Sequence, residues 1–443
     1  MAVCAKIKSS ESWLTPLPPT SPPCPTDFHL ISLLPMKASI HCRIVSQLII
    51  SLAVIIICSK VAVGTSTTSS NRPMKTETAA PKVETETSAS PTSSGTDDNP
   101  IRLCFSDVDG TLVHYPADAP HRDSDDDGSS SSNSNSLIFL PPSSTGMRGI
   151  ISSRTLRLAQ HLRSEGCVRL ILVSGMRGTT LLKRLPFLPR ADAYACDAGG
   201  RIFYPVDCSD CGDYDGPIIQ PVEYEGASSK DLEPFGVVED EEWRGRMQNI
   251  DAAGEDGYDD EISTEKRRGL LWDFARTLQS QGFVLDFKGY STCFRVNRKQ
   301  QKENVVDDAK FASLMELIPP DGLAQSVNLG CVDFYPSISG KRNACRYLTG
   351  KFVASDEGLD DLLSKRAVCI CDDDNDLEMA LACRHAFIPG ITSESMRQTI
   401  DGNPGHFTVT EDAAKGIVET AATEEALTGA LAMISSEAAA SQS

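Results

Sequence analysis

The chain has 443 residues, 15 of them cysteine, and a formal net charge of −19 at pH 7. This length is enough for two or three domains. The acidic excess would repel a phosphate backbone, which argues against a nucleic-acid partner. A small anionic substrate would instead need local positive charge, for which Lys341 and Arg177 are candidates.

The first hundred residues are not expected to form a globular core. Residues 1–42 are predicted to be an unstructured, proline-rich region, and residues 65–100 a Ser/Thr/Pro-rich linker. Between them, residues 43–64 are apolar enough for a signal-peptide core or a transmembrane anchor. We therefore expect a secretory or membrane-anchored protein that can associate with a membrane through this segment, with plastid targeting as the alternative.

The folded part is predicted to begin with a strand that ends in two acidic residues. The apolar run from Ile101 to Ser106 leads into Asp107-Val108-Asp109-Gly110-Thr111. Carboxylates at the end of a buried strand are costly unless they bind a cation or carry out chemistry, whereas a solvated Asp-Gly turn is the ordinary alternative. The pentapeptide alone does not decide between a turn and a site.

Further along, a polar insertion separates this strand from a second one. Residues 115–142 include a serine-rich stretch and are predicted to be a low-complexity insertion. Apolar spacing predicts a helix over 149–165. A second buried strand, Val168 to Val173, then ends in Ser174-Gly175.

Between Gly200 and Tyr335 the pattern changes to a helix followed by two strands, repeated once. The predicted helices are Leu270 to Gln281 and Val305 to Ile318, and the predicted strands are 283–287, 292–296, 324–329 and 331–335. This pattern predicts a compact α+β domain over residues 201–335. Lys288, Arg295 and Arg298 are its candidate substrate contacts, although a solvated strand residue is the ordinary interpretation of each.

Two more polar clusters follow this region. Ser339-Gly340-Lys341 opens a helical stretch, and the apolar run 366–371 ends in Asp372-Asp373-Asp374-Asn375-Asp376. Helices are also expected over 394–400 and 424–433, with a frayed tail over 435–443. In open parallel sheets, ligands bind beyond the carboxyl ends of the strands, so these clusters should converge on one crevice.

The converging groups suit phosphoryl transfer. Asp107 can attack phosphorus, and Asp109 is placed to act as general acid and base. Thr111, Ser174, Gly175 and Lys341 are the candidate ligands of the substrate phosphate. Asp372 and Asp376 would complete a hard, oxygen-only metal site, which suits Mg²⁺ better than a softer metal.

The four clusters, in this order, resemble the four motifs of the haloacid-dehalogenase (HAD) superfamily over about 101–429. The insertion point of the α+β segment resembles the large-cap phosphatases, including the sucrose-phosphate phosphatase-like group. The resemblance implies a Rossmann-like parallel-sheet core with an inserted α+β cap, an Asp107 nucleophile and a supporting Asn375. It also implies that Asp107, the Asp109 carbonyl and Asp372 bind Mg²⁺, and that Asp376 acts on the metal site through water or through Lys341. Two departures are Cys371, where many relatives have Gly, and Asp197-Ala198-Gly199-Gly200, where many have Asn-Gly.

We therefore predict core parts over 101–200 and 336–434, with the cap over 201–335 between them. The expected function is a Mg²⁺-dependent phosphatase that acts on a small phosphorylated metabolite, with a sugar phosphate favoured, through an aspartyl-phosphate. Three alternatives remain: a phosphomutase of the same superfamily, a non-catalytic domain that retains the fold, and a membrane-tethered structural protein.

Overall fold

A computed structural model of the protein describes residues 101–116, 137–142, 146–166, 168–208, 215–249, 263, 265–328, 330–414 and 419–441. The segments predicted over 1–42, 43–64 and 65–100 lie outside these residues, so the anchor and the linker stay predictions. Among the helices of the described ranges, none has the length and apolar character needed to cross a bilayer.

An eight-stranded sheet organises the protein. Its strand order is β13-β12-β11-β1-β4-β5-β6-β7, in which β13 to β5 are mutually parallel and β6 and β7 are antiparallel to their neighbours. The strands are β1 (Leu103–Ser106), β4 (Arg169–Val173), β5 (Ala193–Cys196), β6 (Arg201–Asp207), β7 (Phe235–Glu239), β11 (Ala367–Ile370), β12 (His385–Ile388) and β13 (Phe407–Val409).

The central strand explains why the sequence shows continuous apolar runs rather than alternation. In β1, Cys104 packs into the hydrophobic core on one face of the sheet, while Leu103 and Phe105 pack into the core on the other. A strand covered on both faces must be apolar at every position. The doubly wound α/β core expected from the sequence is therefore present.

Helices cover both faces of the large sheet, and two further helices, Leu270–Ser280 and Asp308–Met315, pack elsewhere. Within the described residues the helices are α1 (Ser153–Ser164), α2 (Gly178–Arg184), α3 (Glu241–Asn249), α4 (Leu270–Ser280), α5 (Asp308–Met315), α6 (Lys341–Phe352), α7 (Leu359–Arg366), α8 (Leu377–Ala382), α9 (Glu394–Gly402), α10 (Glu411–Ala414) and α11 (Thr420–Ala440). Helix α11 packs beside α1, where Ala426, Leu427 and Ala430 enter the core that also holds Cys104.

A second, smaller layer lies between β7 and α6 in the chain. Its antiparallel sheet has the order β8-β10-β9, formed by Phe294–Asn297, Cys331–Pro336 and Leu323–Asn328. With α4 and α5 it encloses its own hydrophobic cluster, in which the Phe294 and Phe334 rings stack at 5.2 Å between centroids. We call residues 270–336 the small-sheet layer.

Several predicted boundaries differ from the structure. The insertion over 115–142 contains β2 (Leu137–Phe139), which pairs antiparallel with β3 (Ile150–Ser152), so the helix predicted from 149 begins at Ser153. Ser152 ends the strand because its hydroxyl accepts a hydrogen bond from the Thr155 amide and so caps the helix.

Other differences concern the predicted cap and the tail. Because β6 pairs with β5 and β7 pairs with β6, the large sheet runs past the boundary predicted at residue 201, as far as Glu239. The predicted strand 283–287 is reduced to a single bridge between Asp286 and Arg295. The tail is not frayed throughout: α11 continues to Ala440, because alanine is the strongest helix former.

Candidate functional site

Three loops meet where the central strands end. Asp107 directly follows β1, Ser174 directly follows β4, and Asp372 lies two residues beyond β11. These strands are neighbours and parallel, with Ser106 paired to both Leu172 and Ile370. The three side chains therefore lie at one edge of the sheet, as the sequence predicts, and all three are buried.

Lys341 joins this group from the first turn of α6. Its ammonium donates to Asp107 Oδ1 at 2.7 Å, to Asp376 Oδ1 at 2.6 Å and to Asn375 Oδ1 at 3.2 Å. The preceding Gly340 has φ +97°, a conformation that suits glycine and turns the chain into the helix. One cation thus links the loops that follow β1 and β11.

The carboxylates outnumber the cation that they share. Oxygen atoms of Asp107, Asp372 and Asp376 lie within 4.8 Å of one another. Burial raises the pKa of Asp107 to about 8, although Lys341 opposes this. Burial also raises the pKa of Asp372 well above its usual range, and repulsion from Asp107 and Asp376 adds to it. Burial alone would lower the pKa of Lys341, but the carboxylates hold it above its ordinary value.

This donor set fits a hard divalent cation. It consists only of oxygen atoms, and within the described part of the chain Asp376 Oδ2 is buried without a hydrogen-bond partner. An unpartnered buried carboxylate oxygen is costly, and a bound cation would remove that cost. Asp107, Asp372 and Asp376 are therefore the candidate ligands for Mg²⁺. The Asp109 carboxylate lies outside this cluster.

Asp109 has partners that the sequence does not reveal. Its Oδ1 accepts from the Tyr115 hydroxyl and from Arg184 Nη1 at 2.6 Å. The Arg184 guanidinium also lies over the Tyr115 ring, 5.7 Å from its centroid. Asp109 itself is 37% exposed, so its carboxylate is oriented but still reaches the solvent side of the site.

Thr111 and Gly110 pack against Asp372. The Thr111 hydroxyl donates to Asp372 Oδ1, and a side chain on Gly110 would place its Cβ 2.1 Å from Asp372 Oδ2. Gly110 has φ +92°, so this position both turns the chain and allows the close approach. The Thr111 side chain is thus already used within the site, and its contact with a substrate phosphate stays a prediction.

Ser174 and Gly175 face the same crevice. The Ser174 oxygen accepts from the Met176 amide at 3.2 Å, which leaves its own proton for another acceptor. A Cβ on Gly175 would lie 3.7 Å from Asn375 Nδ2 and 3.8 Å from Arg295 Nη2. Gly175 therefore lies close to polar side chains from the loop after β11 and from the small-sheet layer.

The small-sheet layer places a charge pair beside Gly175. Arg295 donates twice to Asp333, at 2.6 and 2.7 Å, and Asp333 is 1% exposed. Of the three candidate basic residues, Arg295 thus lies at the crevice. Arg298 instead pairs with Asp308 on α5. The sequence did contain a signal for Asp333, because an acidic residue stands within the apolar run 331–335. Asp107 gave the same kind of signal, an acidic residue next to an apolar strand.

Arg177 forms a second contact between the core and the small-sheet layer. It pairs with Asp286, donates to the Lys288 carbonyl at 3.1 Å and lies 4.9 Å from the centroid of the Tyr290 ring. From the sequence, pairing of Arg177 with a surface acid was favoured over contact with a substrate phosphate, and the structure pairs Arg177 with the acid Asp286.

Three cysteines of the predicted core strands, Cys104, Cys369 and Cys371, are buried thiols in or next to these strands.

Together, fold and site define a doubly wound α/β protein with a lysine-bridged carboxylate cluster at the carboxyl edge of its parallel strands. No protein-family model and no curated protein matches the chain.

Solved structures are similar to it at low sequence identity. The sucrose-phosphatase from Synechocystis sp. PCC6803, in complex with sucrose and phosphate, is 13% identical over 75% of this chain and 98% of that one, with a TM-score of 0.43. Thermoplasma acidophilum 0175 is 12% identical over 76% of this chain and 100% of that one, with a TM-score of 0.39. The Aspergillus fumigatus trehalose-6-phosphate phosphatase is 12% identical over 75% of this chain and 93% of that one, with a TM-score of 0.35.

Proposed function

We propose that this protein is a HAD-type phosphatase that hydrolyses a small phosphorylated metabolite, with a sugar phosphate favoured. The observation that best supports this proposal is the contact of Lys341 with both Asp107 and Asp376, which follow neighbouring parallel strands. Four loops distant in sequence meet there, and the excess carboxylate charge calls for a cation. A turn that served structure alone would not need this arrangement.

In the first half-reaction, an oxygen of Asp107 attacks phosphorus and the bond from phosphorus to the ester oxygen breaks. The leaving oxygen takes a proton from Asp109, whose orientation Arg184 and Tyr115 fix. The Ser174 hydroxyl and the Gly175 amide donate to the phosphoryl oxygens, and Lys341 compensates their charge. The product alcohol departs and an aspartyl-phosphate remains.

In the second half-reaction, water attacks the phosphorus of the aspartyl-phosphate and transfers a proton to Asp109. The bond from phosphorus to the Asp107 oxygen breaks, which restores the carboxylate and releases inorganic phosphate. Mg²⁺ held by Asp107, Asp372 and Asp376 would neutralise charge on the phosphoryl group when bound. Asn375 steadies Lys341 by accepting a hydrogen bond from its ammonium group.

In this proposal, the small-sheet layer acts as the cap and selects the alcohol part of the substrate. Support comes from Arg295 and Asp333, which bring a charged pair to the immediate surroundings of Gly175. Arg295 uses two of its N–H groups in the hydrogen bonds to Asp333, and a guanidinium has five, so its other N–H groups can donate to substrate hydroxyls. This placement favours a polyhydroxylated substrate over an apolar one.

The test is phosphate release from a panel of phosphate esters by the full-length protein, with Mg²⁺ and with EDTA. We expect Mg²⁺-dependent release for at least one sugar phosphate and a loss of about 10³-fold or more in Asp107→Asn. Asp361→Asn, an exposed substitution on α7, is the matched control and should retain full activity.

Three outcomes would contradict the proposal. No release from any ester would support the non-catalytic alternative, and undiminished release by Asp107→Asn would remove the nucleophile. Transfer of phosphate between positions of one sugar, without free phosphate, would instead identify a phosphomutase. Membrane association and a secretory location depend on residues 43–64 and stay separate predictions.

A further inference from the structure

The turn after β5 has an unusual backbone. Asp197 and Ala198 both have φ +53°, and Gly199 follows with φ +84°. Two consecutive non-glycine residues in the left-handed region are strained, and such strain persists only where surrounding contacts enforce it. This turn is also the point where the chain departs from the Asn-Gly of many HAD relatives. Its contacts therefore indicate what the strain maintains.

The Asp197 carboxylate joins two separate segments. Its Oδ1 accepts from the Gly178 amide at 3.1 Å, at the start of α2 and just beyond the Ser174 loop. Its Oδ2 accepts from the Ser291 and Thr292 amides, at 2.7 and 3.2 Å, in the small-sheet layer. Asp197 is fully buried, so these backbone donors replace its lost hydration.

The next residues of the turn hold the Lys341 loop. The Ala198 carbonyl accepts from the Gly340 amide at 3.0 Å and from the Ser339 hydroxyl at 3.2 Å. A Cβ on Gly199 would lie 2.6 Å from the Gly340 carbonyl oxygen. The turn thus touches the residue that immediately precedes Lys341, and glycine is required for this approach.

We propose that Asp197 is a positioning residue that holds the Ser174 loop, the Lys341 loop and the small-sheet layer in one arrangement. It acts through backbone contacts and touches no reacting atom. The inference rests on the proposed phosphatase function, which assigns the roles of Ser174 and Lys341. It adds a residue to which neither the four motifs nor the resemblance gives a role.

The carboxylate is required because all of its partners are donors. An asparagine here would offer one acceptor oxygen and one NH₂ group. In either orientation of that amide, its NH₂ group faces at least one of the Gly178, Ser291 and Thr292 amides, and a hydrogen bond is replaced by a donor facing a donor. Asp197→Asn therefore loosens the connection while it nearly preserves the volume of the side chain.

Asp192 provides a matched control at the other end of the same strand. Its buried carboxylate accepts from the Leu170 amide at 3.0 Å and pairs with Arg163 and Arg169. Asp192→Asn thus removes a comparable buried acceptor at the amino edge of the sheet, away from the carboxyl edge where the site lies. Any loss that came from stability alone would appear in both variants.

The experiment measures kcat and KM with the best substrate of the panel, thermal melting, and hydrogen exchange by mass spectrometry, for wild type and both variants. We expect kcat to fall about tenfold or more in Asp197→Asn, with a smaller change in KM, because misplacement of catalytic groups acts mainly on the chemical step. Asp192→Asn should melt at a lower temperature with unchanged kcat. Exchange over 178 and 291–292 should accelerate in Asp197→Asn alone.

Two results would overturn the proposal: a kcat of Asp197→Asn within twofold of wild type, or unchanged exchange over these segments. If the wild type releases no phosphate, the proposed function fails, whereas the exchange result still tests the connection itself. If Asp197→Asn is not recovered folded, Ser339→Ala replaces it. That variant removes one donor to Ala198 and should lower kcat several-fold, and wild-type kcat in it contradicts the proposal.

Discussion

Charged groups are buried in two neighbouring regions of this protein. In one region negative charges outnumber positive ones, and in the other the two signs are equal in number. In the core site, Lys341 pairs with Asp107 and Asp376, and the third carboxylate, that of Asp372, lies within 4.8 Å of these two. In the small-sheet layer, Arg295 pairs with Asp333 one to one, through two hydrogen bonds. The first region holds excess negative charge that a bound divalent cation would neutralise, whereas in the second region the two charges balance each other. In the proposed function, this imbalance marks the reacting centre.

The largest loss of unfolding free energy is expected from a substitution that increases the excess of negative charge in the core site. Lys341→Met leaves three buried carboxylates without their cation, and loss of one partner of a buried ion pair costs about 3–5 kcal/mol. We expect this loss of unfolding free energy in EDTA, together with loss of phosphatase activity. Chemical denaturation followed by circular dichroism measures the former.

The matched control lies on the same helix. Lys351, at the other end of α6, pairs with Glu242 at the surface, where an ion pair contributes little. Lys351→Met should therefore leave stability and activity nearly unchanged. If both lysine variants lost the same stability, the core site would not differ from the surface in its charge balance.

His114 extends the comparison to a buried group that contacts no charged side chain among the described residues. It is 4% exposed, its Nε2 contacts the Thr423 hydroxyl at 2.7 Å, and burial lowers its pKa from 6.5 to about 4. Below pH 6.5 the unfolded chain binds a proton that the folded protein excludes. Stability from this group is therefore present above pH 6.5 and is lost as the pH falls towards 4.

The test compares wild type with His114→Gln between pH 7 and pH 4. The shift corresponds to about 3 kcal/mol, which the wild type should lose over this interval and the variant should not. The difference between the two curves of unfolding free energy isolates His114 from the acidic cluster. Parallel curves would contradict this expectation, because they would show that folding leaves the pKa of His114 unchanged.

The smallest stability effect is expected in the balanced region. Replacement of both partners, Arg295→Met with Asp333→Leu, removes the pair without leaving a lone charge, so unfolding free energy should change by about 1 kcal/mol or less. Arg295→Met alone should cost more, because it strands the buried Asp333. Denaturant titration of the three proteins measures the difference. A double variant less stable than the single one would contradict the one-to-one description.

The sequence was informative where chemistry follows directly on a buried strand. Asp107, Ser174 and Asp372 could be placed together because each ends an apolar run and parallel strands share an edge. Lys341 and Asp376 were assigned from their motifs, and the structure brings both to this edge.

The sequence could not predict contacts between distant residues when no pattern near either residue indicates the other. The contact between Arg184 and Asp109 joins residues 75 positions apart, and nothing near either residue indicates the other. The backbone of Asp197 and Ala198 is left-handed because distant segments hold it there, and neither residue type favours that conformation as strongly as glycine. Strand β2 was missed because its three residues follow a long polar stretch.

The central claim is that Asp107 becomes phosphorylated during turnover. Wild type and Asp107→Asn are mixed with the preferred phosphate ester and Mg²⁺, quenched rapidly in acid and digested, and the peptides are analysed by mass spectrometry. A phosphoryl adduct on Asp107 of the wild type, absent from Asp107→Asn, is the predicted result. An adduct on a different residue, or ester cleavage at the wild-type rate by Asp107→Asn, would contradict the account.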